Sequence, residues 1–242
     1  MCSFVRRSGG SYCAVVDVER ALADLREGLT EVCDPSKVED MSAYMLGQFD
    51  YLGCSAGERR SVSKPLTQAA KTMEPAELLT FVARLWEEPE REFHYIGMDM
   101  VRAGAKNLRA GDLPAIRSLI KATPWWDTVD SLAIHTVGTM VRTHPELVVE
   151  MDEWIESDDI WIARTAILHQ LMYKERTDAN RLFTYCTMTM ESTEFFIRKA
   201  IGWALRQYAR TDPDSVRTFV AEHEGALSGL SKREALKHLD KF

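Results

Sequence analysis

No apolar run in the 242-residue chain approaches the roughly 20 residues that a bilayer-spanning helix needs, so a transmembrane segment is excluded. The opening MCSFVRRSGGSYCAVV has two arginines but no sustained apolar core of the kind that marks a secretory signal. Residues 1–15 are expected to form a flexible leader on a single domain spanning 1–242, and the protein is expected in the cytoplasm, associated with the nucleoid. Cysteine is sparse and unpatterned: Cys2, Cys13, Cys33, Cys54 and Cys186 are odd in number, with no CxxC pair and no histidine at ligand spacing. They read as reduced thiols, not as zinc ligands or a disulfide framework. HExxH, P-loop and GxSxG motifs are missing as well, which argues against metal and nucleotide chemistry, and no cofactor or metal is expected. A convincing alternating strand is absent, as is any Asn-Gly hairpin turn.

Positive charge is also in short supply. The formal net charge of −7 argues against an indiscriminate nucleic-acid binder, because phosphate affinity rests on clustered Lys and Arg. The distribution is uneven: residues 191–242 carry nine basic and eight acidic side chains, whereas residues 1–190 carry 21 and 29. Positive potential is therefore concentrated towards the C-terminal quarter. With 45% hydrophobic and 28% charged residues, the composition is that of a globular domain and leaves no room for a disordered majority.

What is present is helix. Thr123-Pro124 fits an N-cap followed by Pro at the first helical position, and Thr143-His144-Pro145-Glu146 adds a capping-box Glu. Ser231-Lys232-Arg233-Glu234 repeats the box before ALKHL, and Met73-Glu74-Pro75 and Glu88-Pro89-Glu90 read as acidic, proline-marked starts. Segments such as AELLTFVARLW and LPAIRSLIKA place apolar residues at helical spacing, so the chain is expected to be all-α.

The aromatic residues add a period. Phe93, Trp126, Trp161 and Phe196 stand 33, 35 and 35 residues apart, each near an expected helix start. Such spacing predicts HEAT-like helix pairs stacked as a curved α-solenoid with a concave face. Within the segment ATPWWDTVDSLA, Trp126 and Asp130 are one turn apart on one face, while Trp125 points elsewhere and is expected to anchor the core. At equivalent positions of the next repeats stand Arg164 and Lys199, with Trp203 one turn further on. A carboxylate, two indoles and basic groups would then converge. A tryptophan in a helical protein is more often core, and Asp130 could be solvated or simply pair with Arg164; a buried pair of that kind is a poor stability device on its own.

The segments EREF (90–93), WWDTVDSL (125–132), DDIWIARTAILHQL (158–171), EFFIRKAIGWALRQYAR (194–210) and LSKREALKHL (230–239) resemble the bacterial AlkD-type DNA alkylation-repair glycosylases. They occur in order, over roughly residue 41 to the end. The resemblance implies a HEAT-like fold whose concave face grips duplex DNA. It also implies hydrolysis of the N-glycosidic bond of cationic N3- or N7-alkylated purines, without enclosing the base in a pocket. The family's Trp and Asp on one helix, Arg on the next repeat and Trp on the one after fall on Trp126, Asp130, Arg164 and Trp203, with a tyrosine at Tyr44. Arg164, Tyr44, Arg59, Arg60, Lys199, Arg206, Lys232 and Arg233 are the expected DNA contacts. The chain departs from the family in LGCSAGERR, where Gly57 stands in place of an expected proline, which bears on the grip by Arg59 and Arg60. The partner is duplex DNA, the protein is expected to act as a monomer, and the competing reading is a non-catalytic scaffold for DNA or protein.

Overall fold

The computed structural model describes residues 17–237 together with Leu239. The expected leader, with Cys2 and Cys13, lies outside the described residues. The elements are helices and short turns: α1 (Val18–Val32), α2 (Val38–Tyr44), α3 (Ala56–Ala69), α4 (Pro75–Trp86), α5 (Arg91–Gly104), α6 (Leu113–Lys121) and α7 (Trp126–Ser131). A π turn over Leu132–Val137 carries α7 without interruption into α8 (Gly138–Thr143). Then follow α9 (Val148–Trp154), α10 (Ile160–Leu168), α11 (Ala179–Thr189), α12 (Phe195–Tyr208), α13 (Pro213–Glu222) and α14 (Gly229–Leu236). Among the described residues the extended pairing amounts to a single bridge between Asp50 and Glu90.

One layer consists of α1, α3, α5, α7 with its π turn, α10, α12 and α14, each packed on the one before. The second layer, α4, α6, α9, α11 and α13, backs it, giving an α-solenoid. Phe81, Phe93, Ile96, Met100 and Leu132 are wholly buried between the layers. The aromatic period marks helix starts as expected, with Phe93, Trp126, Trp161 and Phe196 each within the first three residues of α5, α7, α10 and α12.

Several expected caps are displaced. Glu74-Pro75 does open α4. Thr123, however, has a left-handed backbone (φ 48°), and α7 begins three residues later at Trp126. Thr143 closes α8, its hydroxyl bonding back to the Thr139 carbonyl, and a single 3-10 turn follows at Pro145–Leu147. The start at Glu88-Pro89-Glu90 moves to Arg91. The cap of α14 is Ser228, which accepts from the Ser231 amide, so Ser231 is already inside the helix. A Ser-x-x-Glu box does exist at Ser55–Glu58, where it opens α3. Local sequence permits many caps, and the packing of flanking segments selects among them.

The reading of all cysteines as reduced thiols fails for two of them. Cys186 is free and buried, but Cys33 and Cys54 form a disulfide, with Cα atoms 4.3 Å apart. No sequence motif announces a pair 21 residues apart; the fold creates it. The Glu92 carboxylate accepts from the amides of Leu52, Gly53 and Cys54, and the Asp34 amide donates to the Gly53 carbonyl. Gly53 has φ 91°, and a Cβ there would run into the Asp34 carbonyl, so glycine is what lets the strands of this loop close.

Candidate functional site

The helix α7 places Trp126 at its first position and Asp130 one turn later, and both line a cleft of about 330 Å³ with Arg164, Lys199, Trp203 and Arg206. Side chains from α7, α10 and α12 thus meet on the first layer, as the period predicts. Trp203, 77 residues after Trp126 in the chain, reaches the same cleft and a neighbouring one of about 380 Å³ that also holds Trp126 and Asp130. Trp125 is not a residue of the helix turned inward but the extended residue before it (φ −157°, ψ 160°). Its indole packs on Trp161 at 5.8 Å and Phe196 at 5.1 Å, whose rings meet each other at 4.8 Å, tilted by 41°. It joins three repeats through their helix starts and packs against the core, as expected of an anchor.

Asp130 is nearly buried, at 9% exposure, and the guanidinium of Arg164 grips it with a fork: Nε donates to Oδ1 at 2.7 Å and Nη2 to Oδ2 at 2.8 Å. Nη1 of Arg164 donates to the Phe196 carbonyl. Burial pushes the Asp130 carboxyl above its usual value, and the Arg164 fork opposes that shift by favouring the ionised form. The carboxylate is therefore held in one orientation at the cleft wall. Lys199 and Arg206 come to the cleft together with a carboxylate that the sequence reading had used as a helix cap: Glu234 accepts from Lys199 at 2.9 Å and from Arg206 at 2.5 Å. Hydrogen bonding to Lys199 holds the Glu234 carboxyl below its usual value. Close packing of α14 on α12 at Gly202, where a Cβ would meet Glu234, brings it there.

Trp126 also lines a third cleft, of about 280 Å³, with Tyr44, Tyr51, Tyr95, Asp40 and Asp127. Tyr44 is exposed and meets the Trp126 ring edge-on at 6.3 Å. Arg59 is buried, its guanidinium over the Tyr95 ring at 4.6 Å and 3.9 Å from Asp99. Burial lowers its pKa from the ordinary arginine value. Arg60 is exposed, 3.6 Å from the same Asp99. Lys232 donates to the Glu224 carbonyl and Arg233 is exposed on α14, and neither lines the cleft.

Sequence reasoning missed Arg91 and Asp127. Arg91 is wholly buried, and all three of its nitrogens are engaged: Nε and Nη2 with Asp127 at 3.0 and 2.6 Å, Nη2 with Thr128, and Nη1 with the Thr123 carbonyl and His94. The Tyr95 hydroxyl donates to Asp127 at 2.6 Å. Two guanidiniums thus grip α7 from its two neighbours, Arg91 from α5 at the turn holding Trp126 and Arg164 from α10 one turn later. The signal available in the sequence was Asp127 beside Trp126, although a lone acidic residue in a first turn reads equally well as a helix-dipole partner. Among the described residues no group of three or more His, Cys, Asp or Glu side chains converges as metal ligands.

A profile of the family described as "DNA alkylation repair enzyme" matches residues 25–239. Among solved structures, the chain is similar to a predicted DNA alkylation repair enzyme from Enterococcus faecalis, with a TM-score of 0.80 and 32% identity over 87% of this chain and 98% of that one. It also shares its fold with smu.31 from Streptococcus mutans UA159, with a TM-score of 0.58 and 17% identity over 75% of this chain and 96% of that one. No curated protein matches the sequence.

Proposed function

Because the chain belongs to the DNA alkylation repair enzyme family, we propose that it is an AlkD-type DNA glycosylase with HEAT-like repeats. It would hydrolyse the N-glycosidic bond of cationic N3- or N7-alkylated purines in duplex DNA, such as 3-methyladenine and 7-methylguanine, in the cytoplasm at the nucleoid. The observation that carries this reading is the meeting of Trp126 and Asp130, both on α7, with Trp203 from α12 in one open cleft.

The chemistry suits the residues. An alkylated purine cation is already a good leaving group, so no strong general acid is needed. As the bond from C1′ to the base nitrogen breaks, its electrons neutralise the base and positive charge moves to the sugar. A fixed carboxylate beside C1′ stabilises that charge, as in glycosidases. Asp130 supplies it, and it also orients the water that adds to C1′ and takes its proton. The products are the free alkylpurine and an abasic site. The faces of Trp126 and Trp203 attract the cationic sugar, by about 0.5 to 2 kcal/mol each, and exclude water.

Arg164 does two things in this reading. Its fork fixes the carboxylate, and of the five N–H groups of a guanidinium it retains two beyond its three protein partners for a phosphate next to the lesion. Tyr44, Lys199, Arg206 and Arg60 are the further DNA contacts. Arg59 supports them from below, stacked on Tyr95. Lys232 and Arg233 would contact DNA beyond the cleft.

The test is release of 7-methylguanine from duplex DNA under single-turnover conditions. Asp130→Asn is expected to lower the rate by about 10²- to 10³-fold while leaving DNA affinity within a few-fold. Full activity in the variant would remove Asp130 from the chemistry, and a wild-type protein that binds duplex DNA but releases no base would favour the scaffold.

A further inference from the structure

Neither Cys33 nor Cys54 lines a cleft of the proposed site, but the loop that their disulfide closes does. The two cysteines are 21 residues apart, and α2 runs between them. Asp40, Met41, Tyr44, Met45 and Tyr51 of that loop all line the cleft of about 280 Å³ that also takes in Trp126. Tyr44, which meets the Trp126 ring edge-on at 6.3 Å, is the loop's proposed contact with DNA.

The two ends of the loop are held differently. Near Cys54 the backbone is fixed without the disulfide: the Glu92 carboxylate accepts from the amides of Leu52, Gly53 and Cys54, and the Asp50 carbonyl accepts from the Arg91 amide at 2.8 Å. Phe49, just before, lies over the Arg91 guanidinium. The Cys33 end has weaker holds. None of the residues of α2 is buried, and Met45 directly after it is. Asp34 reaches the Gly53 carbonyl through a hydrogen bond of 3.3 Å, and Lys37 stands 3.9 Å from Glu58, both side chains being exposed. A segment with so little buried surface opens locally at low cost, and covalent closure of its loop removes much of the freedom it would gain by opening.

We propose that Cys33 and Cys54 form a redox switch that orders α2: the disulfide holds Tyr44 against Trp126, and the dithiol lets residues 34–46 loosen. The structural half of this inference is independent of the DNA reading, and its functional half rests on it. In a reducing compartment a disulfide is more often redox-sensing than structural. Closure is thiol–disulfide exchange with a low-molecular-weight disulfide. Cys33 is half-buried and Cys54 is buried, so Cys33 is the accessible sulfur. Its thiolate attacks the small disulfide and expels one thiolate; the Cys54 thiolate then attacks the Cys33 sulfur of the mixed disulfide and expels the second. The protein gives up two electrons and two protons, and the oxidant leaves as two thiols.

The first arm of the test follows hydrogen exchange, peptide by peptide, in the full chain treated with glutathione disulfide or with dithiothreitol. Peptide mapping of the oxidised sample should find Cys33 joined to Cys54. Reduction is expected to speed exchange at residues 38–45 by on the order of 10- to 100-fold and to leave α10 unchanged. Dithiothreitol should change nothing in Cys33→Ala/Cys54→Ala, which should exchange as the reduced wild type does; if that variant does not fold, the two states of the wild type decide alone. Equal exchange in both states, or pairing of Cys33 with another cysteine, overturns the switch. The second arm measures affinity for a duplex carrying a stable abasic-site analogue. Reduction should weaken it severalfold in the wild type and leave it unchanged in Tyr44→Ala. An affinity that ignores redox state overturns the coupling of α2 to the site. A wild type that binds no duplex in either state, with the exchange difference intact, sinks the DNA reading and leaves the ordering of α2 standing.

Discussion

Arg91 shows what one side chain does in this molecule. It is wholly buried, and its guanidinium lies 3.7 Å from the centre of the Phe49 ring while it bonds to Asp127, Thr128, the Thr123 carbonyl and His94. Removing one partner of a buried pair leaves the other charge uncompensated. Arg91→Met is expected to cost about 3–5 kcal/mol in denaturant unfolding, and Arg91→Met/Asp127→Asn to recover part of that loss. A double variant no more stable than the single one would mean that Asp127 is not the group left stranded. Asp130 is the contrasting case. Its partner Arg164 was in view from the sequence, since the pair falls on aligned positions of consecutive repeats. Arg91 and Asp127 were not, because no spacing rule links a buried arginine at one helix start to an acid 36 residues on.

At the scale of the element, α2 ends on a backbone that glycine would suit better. The Gly47 amide donates to the Ser42 carbonyl and the Leu46 amide to that of Ala43, the pattern of a Schellman motif. Leu46 occupies its left-handed position, with φ 57° and 72% of the residue exposed. A left-handed non-glycine residue costs roughly 1–2 kcal/mol, and here no burial offsets it. Leu46→Gly, after the entropy cost of glycine is deducted, is expected to raise stability by up to about 1 kcal/mol, seen as a higher thermal midpoint. A lower midpoint would show that the exposed leucine has a packing role. The same element-scale physics explains the displaced caps. Thr123 and Ser231 are good N-cap types, but Arg91 fixes the turn at Thr123, and Ser231 donates its hydroxyl to the Arg198 carbonyl across the α12–α14 contact.

For the whole molecule, stability is tied to two histidines buried in different parts of the solenoid. His94 lies against Arg91, which donates to its Nδ1, and its Nε2 donates to the Glu88 carbonyl; His169 donates from Nδ1 to the Ala166 carbonyl. Burial is the main cause that pushes both down to about 4. The unfolded chain, with histidine near 6.5, binds more protons than the folded one between those values, so stability is full above about pH 6.5 and falls as pH drops towards 4. The loss should be on the order of a few kcal/mol per histidine. Urea midpoints measured from pH 7.5 to pH 4.5 should therefore decline, steepening below 6.5. A flat profile would mean that neither histidine is kept neutral by the fold.

The all-α class, the repeat length and the one-turn pairing of Trp126 with Asp130 were properties of the sequence alone, because each follows from spacing within a helix or between equivalent helix starts. The disulfide between Cys33 and Cys54, the recruitment of Glu234 by Lys199 and Arg206, and the burial of Arg59 were decided by the tertiary structure. Each of these depends on how closely two helices from different repeats approach, which is set by the packing of both layers and is written in neither helix by itself.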